Sequence, residues 1–466
     1  MKLTPLALQQ TIDRLLLQCQ TNESATSPTI VVGLSGGLDS IVLTHLLATL
    51  SRSSKIFLLK VVHINHQLQR DADEWQSFCS DVCQSLHISF ENITVNATPE
   101  KGEGPEAAAR NARYVAFKSV LKENDILVTA HHLDDQIETV FLQMLRGTGI
   151  EGATGISPVS LFGNNYLLRP LLEFSRDDIQ SYAEENQLTW VEDPSNQETE
   201  FSRNYLRQKV IPLIEKRWPA YRQTIQRFSE NMQQAGDVLQ EIVEEDIEDV
   251  IDKETNSLCI EPLSKLSVNR QNNIIRSWIK KTNGDVPSVA ILHQIFLLMS
   301  STEDAEPVVT WGQTEIRRFQ NKLYCMQKNR NKIPENLEIN ISNWRPGQVV
   351  EVPGYGALVL ELCEDEGILE TYISSENIQI KIRQGGETCK PVGRQKSQSL
   401  KKIFQEKKVP PWLRNNTPIV FINGEVAVVV GEFYCSPFAL EKASLSKVKD
   451  RSDKEMKRFR ITRILS

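Results

Sequence analysis

A run of β-branched residues that breaks into two glycines and resumes as a helix, Thr29-Ile-Val-Val-Gly-Leu-Ser-Gly-Gly-Leu-Asp-Ser40, constrains this chain more than any other stretch. Ile30 to Val32 form the continuous apolar run of a strand buried on both faces. Val42, Leu43, Leu46, Leu47 and Leu50 then return at helical spacing. The turn between them delivers backbone N–H groups to a helix N-terminus, where unpaired donors and the positive end of the helix dipole attract an anion. Gly36 and Gly37 carry no side chain to hold that anion off the backbone, and Ser35 and Ser40 add hydroxyl donors.

What the loop lacks narrows the anion. A Walker A loop ends in Gly-Lys-Ser/Thr, and no lysine lies between Thr29 and Thr49. Asp39 instead places a carboxylate at the rim, which would repel a bare phosphate but suits a Mg²⁺ bridging phosphate oxygens. The segment Ser35-Gly36-Gly37-Leu38-Asp39-Ser40 resembles the Ser-Gly-Gly-x-Asp-Ser loop of PP-loop pyrophosphatases. That resemblance implies ATP cleavage between the α and β phosphates, hence adenylation rather than phosphorylation. Gly33-Leu-Ser-Gly-Gly37 also satisfies the Gly-x-Ser-x-Gly elbow of α/β-hydrolases. That reading needs a later acid and histidine, and the only histidine after His132 is His293, in a helical pattern.

At roughly 100 to 200 residues per domain, 466 residues suggest about three domains. With 53 basic and 60 acidic residues, the net charge of -7 gives no global signal for a polyanion, so any such surface is local. The 8 cysteines are dispersed, as in a reduced cytosolic protein, and Cys79 and Cys83 read as core rather than as metal ligands. No signal peptide and no apolar run long enough to cross a membrane is seen, so the expected location is cytoplasmic.

Strands alternate with helical patterns to about residue 190: a second strand at 56–62, helix 73–86, a third strand 88–95, helix 105–123 and a fourth strand 125–129. This predicts a doubly wound parallel sheet whose ligands sit beyond the C-terminal strand ends. His63, in the His63-Ile-Asn-His66 segment ending the second strand, is a candidate for the adenine pocket, against the plainer reading of a satisfied structural histidine. The fourth strand leads into Ala130-His-His-Leu-Asp-Asp-Gln-Ile-Glu-Thr139. Three carboxylates this close call for a cation, either Mg²⁺ or a substrate ammonium, unless they are a solvated acidic first turn. Arg110 and Arg113, at i, i+3 after Gly104-Pro-Glu, form a fork for phosphate or a plain surface pair. Arg203 and Arg207, at i, i+4 after the Glu192-Asp-Pro-Ser-Asn196 turn, could meet RNA phosphates.

Taken together, the Ser35 loop, the His131–Thr139 cluster, Gly104–Arg110, Glu192–Asn196 and Arg203–Arg207 closely resemble the tRNA(Ile)-lysidine synthetase family. The resemblance is strong over residues 29–217 and recurs in Ile382–Glu387, Pro391, Gly393-Arg394, Ser399–Phe404 and Val409-Pro410. It implies a PP-loop, Rossmann-like catalytic domain at 1–217, a helical tRNA-contacting domain at 222–325, a β-rich connector at 326–378 and a small basic α+β domain at 379–466 that recognises the tRNA body. From Lys390 onward there are 17 basic and 7 acidic residues, with Arg394, Lys401 and Lys402 among the expected RNA contacts.

The implied chemistry replaces the C2 carbonyl oxygen of the wobble cytidine in a CAU-anticodon isoleucine tRNA with the ε-amine of free L-lysine, consuming ATP to AMP and pyrophosphate. Asp39 with Mg²⁺, Arg110 and Arg113 would serve adenylation. Asp135 or Glu138 would deprotonate lysine or bind its charged groups. A homodimer is carried with this reading without support from the residues themselves. Related thiolases use paired or cluster-binding cysteines, yet this region has only Cys19, Cys79 and Cys83. Glutamine-hydrolysing synthetases need an amidotransferase part, and a non-catalytic tRNA-binding protein would release no pyrophosphate.

Overall fold

The computed structural model describes residues 2–19, 28–54, 57–67, 71–99, 104–193, 201–282, 284–301, 307–328, 333–363, 366–439 and 457–464. The chain divides into two compact units, Met1–Glu241 and Ile242–Ser466. The division expected from the sequence, with breaks near 217, 325 and 378, is finer than this one.

In the first unit, β1 (Thr29–Gly33), β2 (Leu58–Asn65), β3 (Ser89–Thr94), β4 (Ile126–Val128), β5 (Val159–Phe162) and β6 (Asn165–Leu168) form one sheet in the order β3-β2-β1-β4-β6-β5. All neighbours pair in parallel except the edge strand β5, which is antiparallel to β6. The expected doubly wound α/β fold is present, and its strand order reverses beside β1, where ligand crevices form in such sheets. Val31, Val62, Leu127 and Leu167 face one side with Ala116 and Phe117 of α4 (Pro105–Val120). Ile30, Val32, Val61, Ile126 and Leu168 face the other, covered by α1 (Pro5–Leu16), α2 (Leu38–Ser54) and α3 (Ala72–Ser85).

Val42, Leu43, Leu46 and Leu47 of α2 are fully buried, because this helix is packed against the sheet beneath it and against other helices. Cys79 and Cys83 lie in the same core, and burial pushes both thiols up to about 12, consistent with an inert packing role. The second strand runs three residues beyond the expected Val62, through His63, Ile64 and Asn65, each with a parallel partner on β3.

The second unit carries more sheet than the helical pattern of 222–325 suggests. Beside its helices, β7 (Ile251–Asp252), β8 (Ser257–Cys259), β9 (Val308–Trp311), β10 (Thr314–Phe319) and β11 (Lys322–Gln327) form an antiparallel sheet ordered β7-β8-β11-β10-β9. Its core is built around Leu258, Trp278, Ile295, Ile316 and Leu323. Strands from 326–378 pair with strands from 379–466: Glu338–Ile341 with Ile378–Lys381, then Ile419–Ile422, and Gly356–Cys363 with Arg458–Ile464. The stretch read as a connector therefore shares its core with the basic end of the chain. No helix among the described residues is long and apolar enough to cross a membrane.

Candidate functional site

The glycine turn ends β1 at the C-terminal edge of the sheet and is held open by its own hydrogen bonds. Ser40 Oγ donates to the Gly37 carbonyl at 2.9 Å and accepts from the Ser35 N–H at 3.2 Å, while Ser35 Oγ lies 3.1 Å from it. Gly36 has φ +90°, and a Cβ there would stand 3.2 Å from Cys79 Sγ, so backbone freedom and space both require glycine. The Val191 N–H donates to the Gly36 carbonyl at 2.9 Å, fixing the turn from a distant segment. Leu38 begins α2, which places Asp39 in the first helical turn.

His63 is buried and its Nδ1–H donates to the Leu34 carbonyl at 2.8 Å. Burial holds it below the ordinary imidazole value, with that hydrogen bond opposing. In this geometry it ties the end of β2 to Leu34, the residue that follows β1.

From Asp39 a line of charges runs to the helix α5 (Leu133–Leu145). His132 caps that helix: its Nδ1 accepts from the Asp134 N–H at 3.2 Å, while its own N–H donates to Asp135 Oδ2 at 3.1 Å. Its Nε2 stands 3.5 Å from Asp135 Oδ2 and 3.7 Å from Asp39 Oδ2. Asp135 in turn faces Arg207 and Arg203 at 3.6 and 3.8 Å. Both arginines converge on Glu138, whose side chain is 1% exposed: Arg203 Nε donates to Oε2 at 2.8 Å, and Arg207 donates to both oxygens, at 2.6 and 3.0 Å.

The pKa directions follow from this layout. Burial raises Asp39, and His132 and Arg176 offset it only in part. Burial also acts to raise Asp135, but His132, Arg203, His131 and the His132 N–H together hold it below the ordinary carboxylate value. For His131, whose Nδ1 lies 3.0 Å from the Thr129 hydroxyl, burial dominates and pushes it down to about 4.

The cation demanded by the clustered carboxylates is supplied by the protein: Arg203 and Arg207 serve Glu138 and Asp135, and Arg222 Nε donates to Asp134 at 2.8 Å. Arg203 and Arg207, expected to meet RNA phosphates, lie in the carboxylate cluster with about a third of each side chain exposed. Glu138, saturated by two guanidinium groups, is no free base. Arg110 and Arg113 are exposed on α4, with Arg110 over the Tyr114 ring at 5.2 Å. Pro194–Asn196 of the expected turn lie outside the described residues, as does the basic stretch 440–456.

Arg394 pairs with Glu406 and Gln398, whereas Lys401 and Lys402 are exposed on the helix Leu400–Glu406, with Lys402 4.0 Å from Glu406. Arg176 and Arg222 were not among the expected site residues, whereas His132 belongs to the ionisable cluster read from the sequence. The His132 cap was readable from its place just before an apolar helical run with an acid three residues on.

The donor set can be tested against Mg²⁺. Asp39 Oδ1 is buried without a hydrogen-bond partner. No group of three or more His, Cys, Asp or Glu among the described residues could hold a metal by itself. One open carboxylate beside an anion loop fits Mg²⁺ carried in on phosphates, the usual arrangement for that ion, and does not fit a resident metal.

Models of known families match three stretches: a PP-loop domain at residues 8–214, a TilS substrate binding domain at 258–324 and a TilS substrate C-terminal domain at 378–447. A protein of Coxiella burnetii named tRNA(Ile)-lysidine synthase is 37% identical over 409 residues, covering 87% of this chain and 89% of its own. One of the same name from Legionella pneumophila (strain Paris) is 38% identical over 405 residues, 86% of this chain and 90% of its own. Another, from Methylococcus capsulatus, is 34% identical over 415 residues, 88% and 92%.

Proposed function

The chain belongs to the tRNA(Ile)-lysidine synthase family and is an enzyme of that type, and on that footing we propose that it joins free L-lysine to C2 of the wobble cytidine in CAU-anticodon isoleucine tRNA. The observation that carries this reading is the anion loop with the unsatisfied Asp39 oxygen at its rim, one histidine away from a cluster of mixed charge.

Cytosine O2 is a poor leaving group. In the first step it attacks the α-phosphorus of ATP and pyrophosphate departs; in the second the lysine ε-nitrogen attacks C2 and AMP departs with the oxygen. The Ser35–Ser40 loop holds the pyrophosphate end through backbone N–H groups and hydroxyls. Asp39 would hold Mg²⁺, which would supply positive charge to the leaving pyrophosphate. Arg110 and Arg113 stabilise charge on the α-phosphate.

Asp135, kept ionised by its neighbours, and Arg203 and Arg207, each about a third exposed, offer paired charges of both signs. That pattern complements the α-ammonium and α-carboxylate of an amino acid, leaving the ε-amine as nucleophile. Lysine binding is thus the role we assign to Asp135 with Arg203 and Arg207, in preference to base catalysis, and Glu138 holds the two arginines in place for it. Lys401, Lys402 and Arg394 contact tRNA phosphates, and the enzyme acts in the cytoplasm.

The purified protein is incubated with ATP, Mg²⁺, labelled lysine and unmodified CAU-anticodon isoleucine tRNA, and lysine in RNA and AMP are measured. Equal, tRNA-dependent yields of both are expected. AMP without lysine in RNA would show that another nucleophile is used, and neither product would overturn the reading.

A further inference from the structure

Arg169 is a buried cation for which the mechanism above has no use. It follows directly on β6, whose parallel pairing with β4 brings its C-terminal end to the sheet edge that carries the Thr129–His132 turn. The Thr129 N–H donates to the Leu168 carbonyl at 3.1 Å, which fixes the two ends side by side.

The residue is 8% exposed. Its Nη1 donates to the Ser157 carbonyl at 2.6 Å and to Ser160 Oγ at 3.2 Å, while Nε is buried with no partner. No carboxylate among the described residues is ion-paired with it. The groups that face it are the Tyr114 hydroxyl, which is hydrogen-bonded to the guanidinium, and Arg110 from α4, with His131 from the end of β4.

Such surroundings are unfavourable for a guanidinium. Arginine is almost never buried without a carboxylate or phosphate to meet it, and here the charge acting on it from α4 is a second arginine, Arg110. Tyr114, T-stacked on Phe162 with ring centroids 5.4 Å apart, holds one side rigid. A fixed, desolvated donor with an open N–H, next to an exposed guanidinium at the ligand edge of the sheet, lacks one thing: an oxyanion.

We infer that Arg169, together with Arg110, forms an oxyanion site that accepts a phosphate-ester oxygen of the bound substrates. The inference rests on the function proposed above, whose substrates offer two such oxygens: one on the α-phosphate of the nucleotide, one on the phosphodiester beside the reacting cytidine. Binding of either would relieve the unpaired cation and stabilise the folded state.

The test compares the full-length chain with Arg169→Gln and Arg169→Lys. Melting shifts induced by AMP and by a CAU-containing anticodon stem-loop RNA are measured together with kcat and KM for ATP and tRNA. The glutamine variant is expected to lose at least tenfold in kcat/KM and to lose the shift given by one of the two probes. Loss of the AMP shift assigns the site to the nucleotide, loss of the RNA shift to the phosphodiester; the lysine variant recovers part of it. Both shifts retained, with kcat and both KM values within twofold, overturns the inference.

Should the glutamine variant fail to fold, the guanidinium Nε–H resonance of Arg169 in the unsubstituted chain, identified by its loss in the lysine variant, replaces it. Movement with AMP or RNA supports the site, and no movement with either overturns it. If the unsubstituted chain incorporates no lysine yet AMP still moves this resonance, the proposed reaction fails while the oxyanion site stands.

Discussion

Arg207 grips Glu138 through both carboxylate oxygens, Nε to Oε1 at 2.6 Å and Nη2 to Oε2 at 3.0 Å, and Arg203 adds a third bond at 2.8 Å. The acid is buried and the arginines are about a third exposed, so the acid is the member that cannot be spared. Glu138→Gln should cost about 3 kcal/mol, the lower end of the range for a broken buried pair because water can still reach the arginines. Urea unfolding measures this. Arg207→Lys should cost less in stability but raise the KM for lysine, since a lysine cannot make the forked contact.

Asp39 and Asp135 should bend the stability curve in opposite directions. Asp39 has its carboxyl raised in the folded state from 3.8, so the native protein binds the extra proton and stability falls as pH rises through that range. Asp39→Asn should therefore melt at or above the parent's temperature at pH 7, with the difference vanishing below pH 3.8, while AMP formation is lost. Asp135 has its carboxyl lowered, so it contributes stability above 3.8 that disappears as pH falls through the folded value. Asp135→Asn should flatten the acid limb of the melting curve. A parent-like acid limb in Asp135→Asn would contradict the charge layout described.

Gly36 and Gly37 separate folding from ligand approach. Alanine at Gly36 must adopt φ +90° with its Cβ 3.2 Å from Cys79 Sγ, a strain on the order of 1 to 3 kcal/mol visible in thermal unfolding. At Gly37 the nearest atom to a new Cβ is Ser35 Oγ at 3.6 Å, ordinary contact. Gly37→Ala should leave the melting temperature within a degree or two yet raise the KM for ATP at least tenfold. Normal ATP use by Gly37→Ala would remove this residue from the nucleotide loop.

Lys401 and Lys402 are exposed on one short helix. The double change to glutamate should raise the KM for tRNA and reduce the magnitude of the salt slope of binding by about 1 per lost phosphate contact. KM for ATP should not move. Filter binding across a salt series measures the slope, and an unchanged slope would place the tRNA elsewhere.

The sheet of the first unit was legible because its central strands are buried on both faces, so Ile30–Val32 and Ile126–Val128 appear as unbroken apolar runs. The hairpin of β5 and β6 escaped notice: four-residue strands leave no period to detect, and Asn165 and Tyr166 are only partly buried. The same holds for the five short strands within 251–327.

At the site, motif spacing located Asp39, Asp135 and Glu138, but not who faces them. The positions of Arg203 and Arg207 show two cations four apart; that both turn onto an acid far upstream, Arg203 from an α-helical turn and Arg207 from the π-helical turn Leu206–Val210, is announced by no local pattern. Arg169 is less visible still, being a lone charge after a short strand, and only its burial marks it.

The tie from Val191 to the Gly36 carbonyl has a bearing on how the protein is made. Synthesis runs from the N-terminus, so a ribosome that has extruded Ser35 to Ser40 has yet to make the residue that pins their turn. The glycine turn can lock only after the rest of its sheet has been translated. Until then the nascent chain carries Ser35 to Ser40 without the hydrogen bond that fixes their turn.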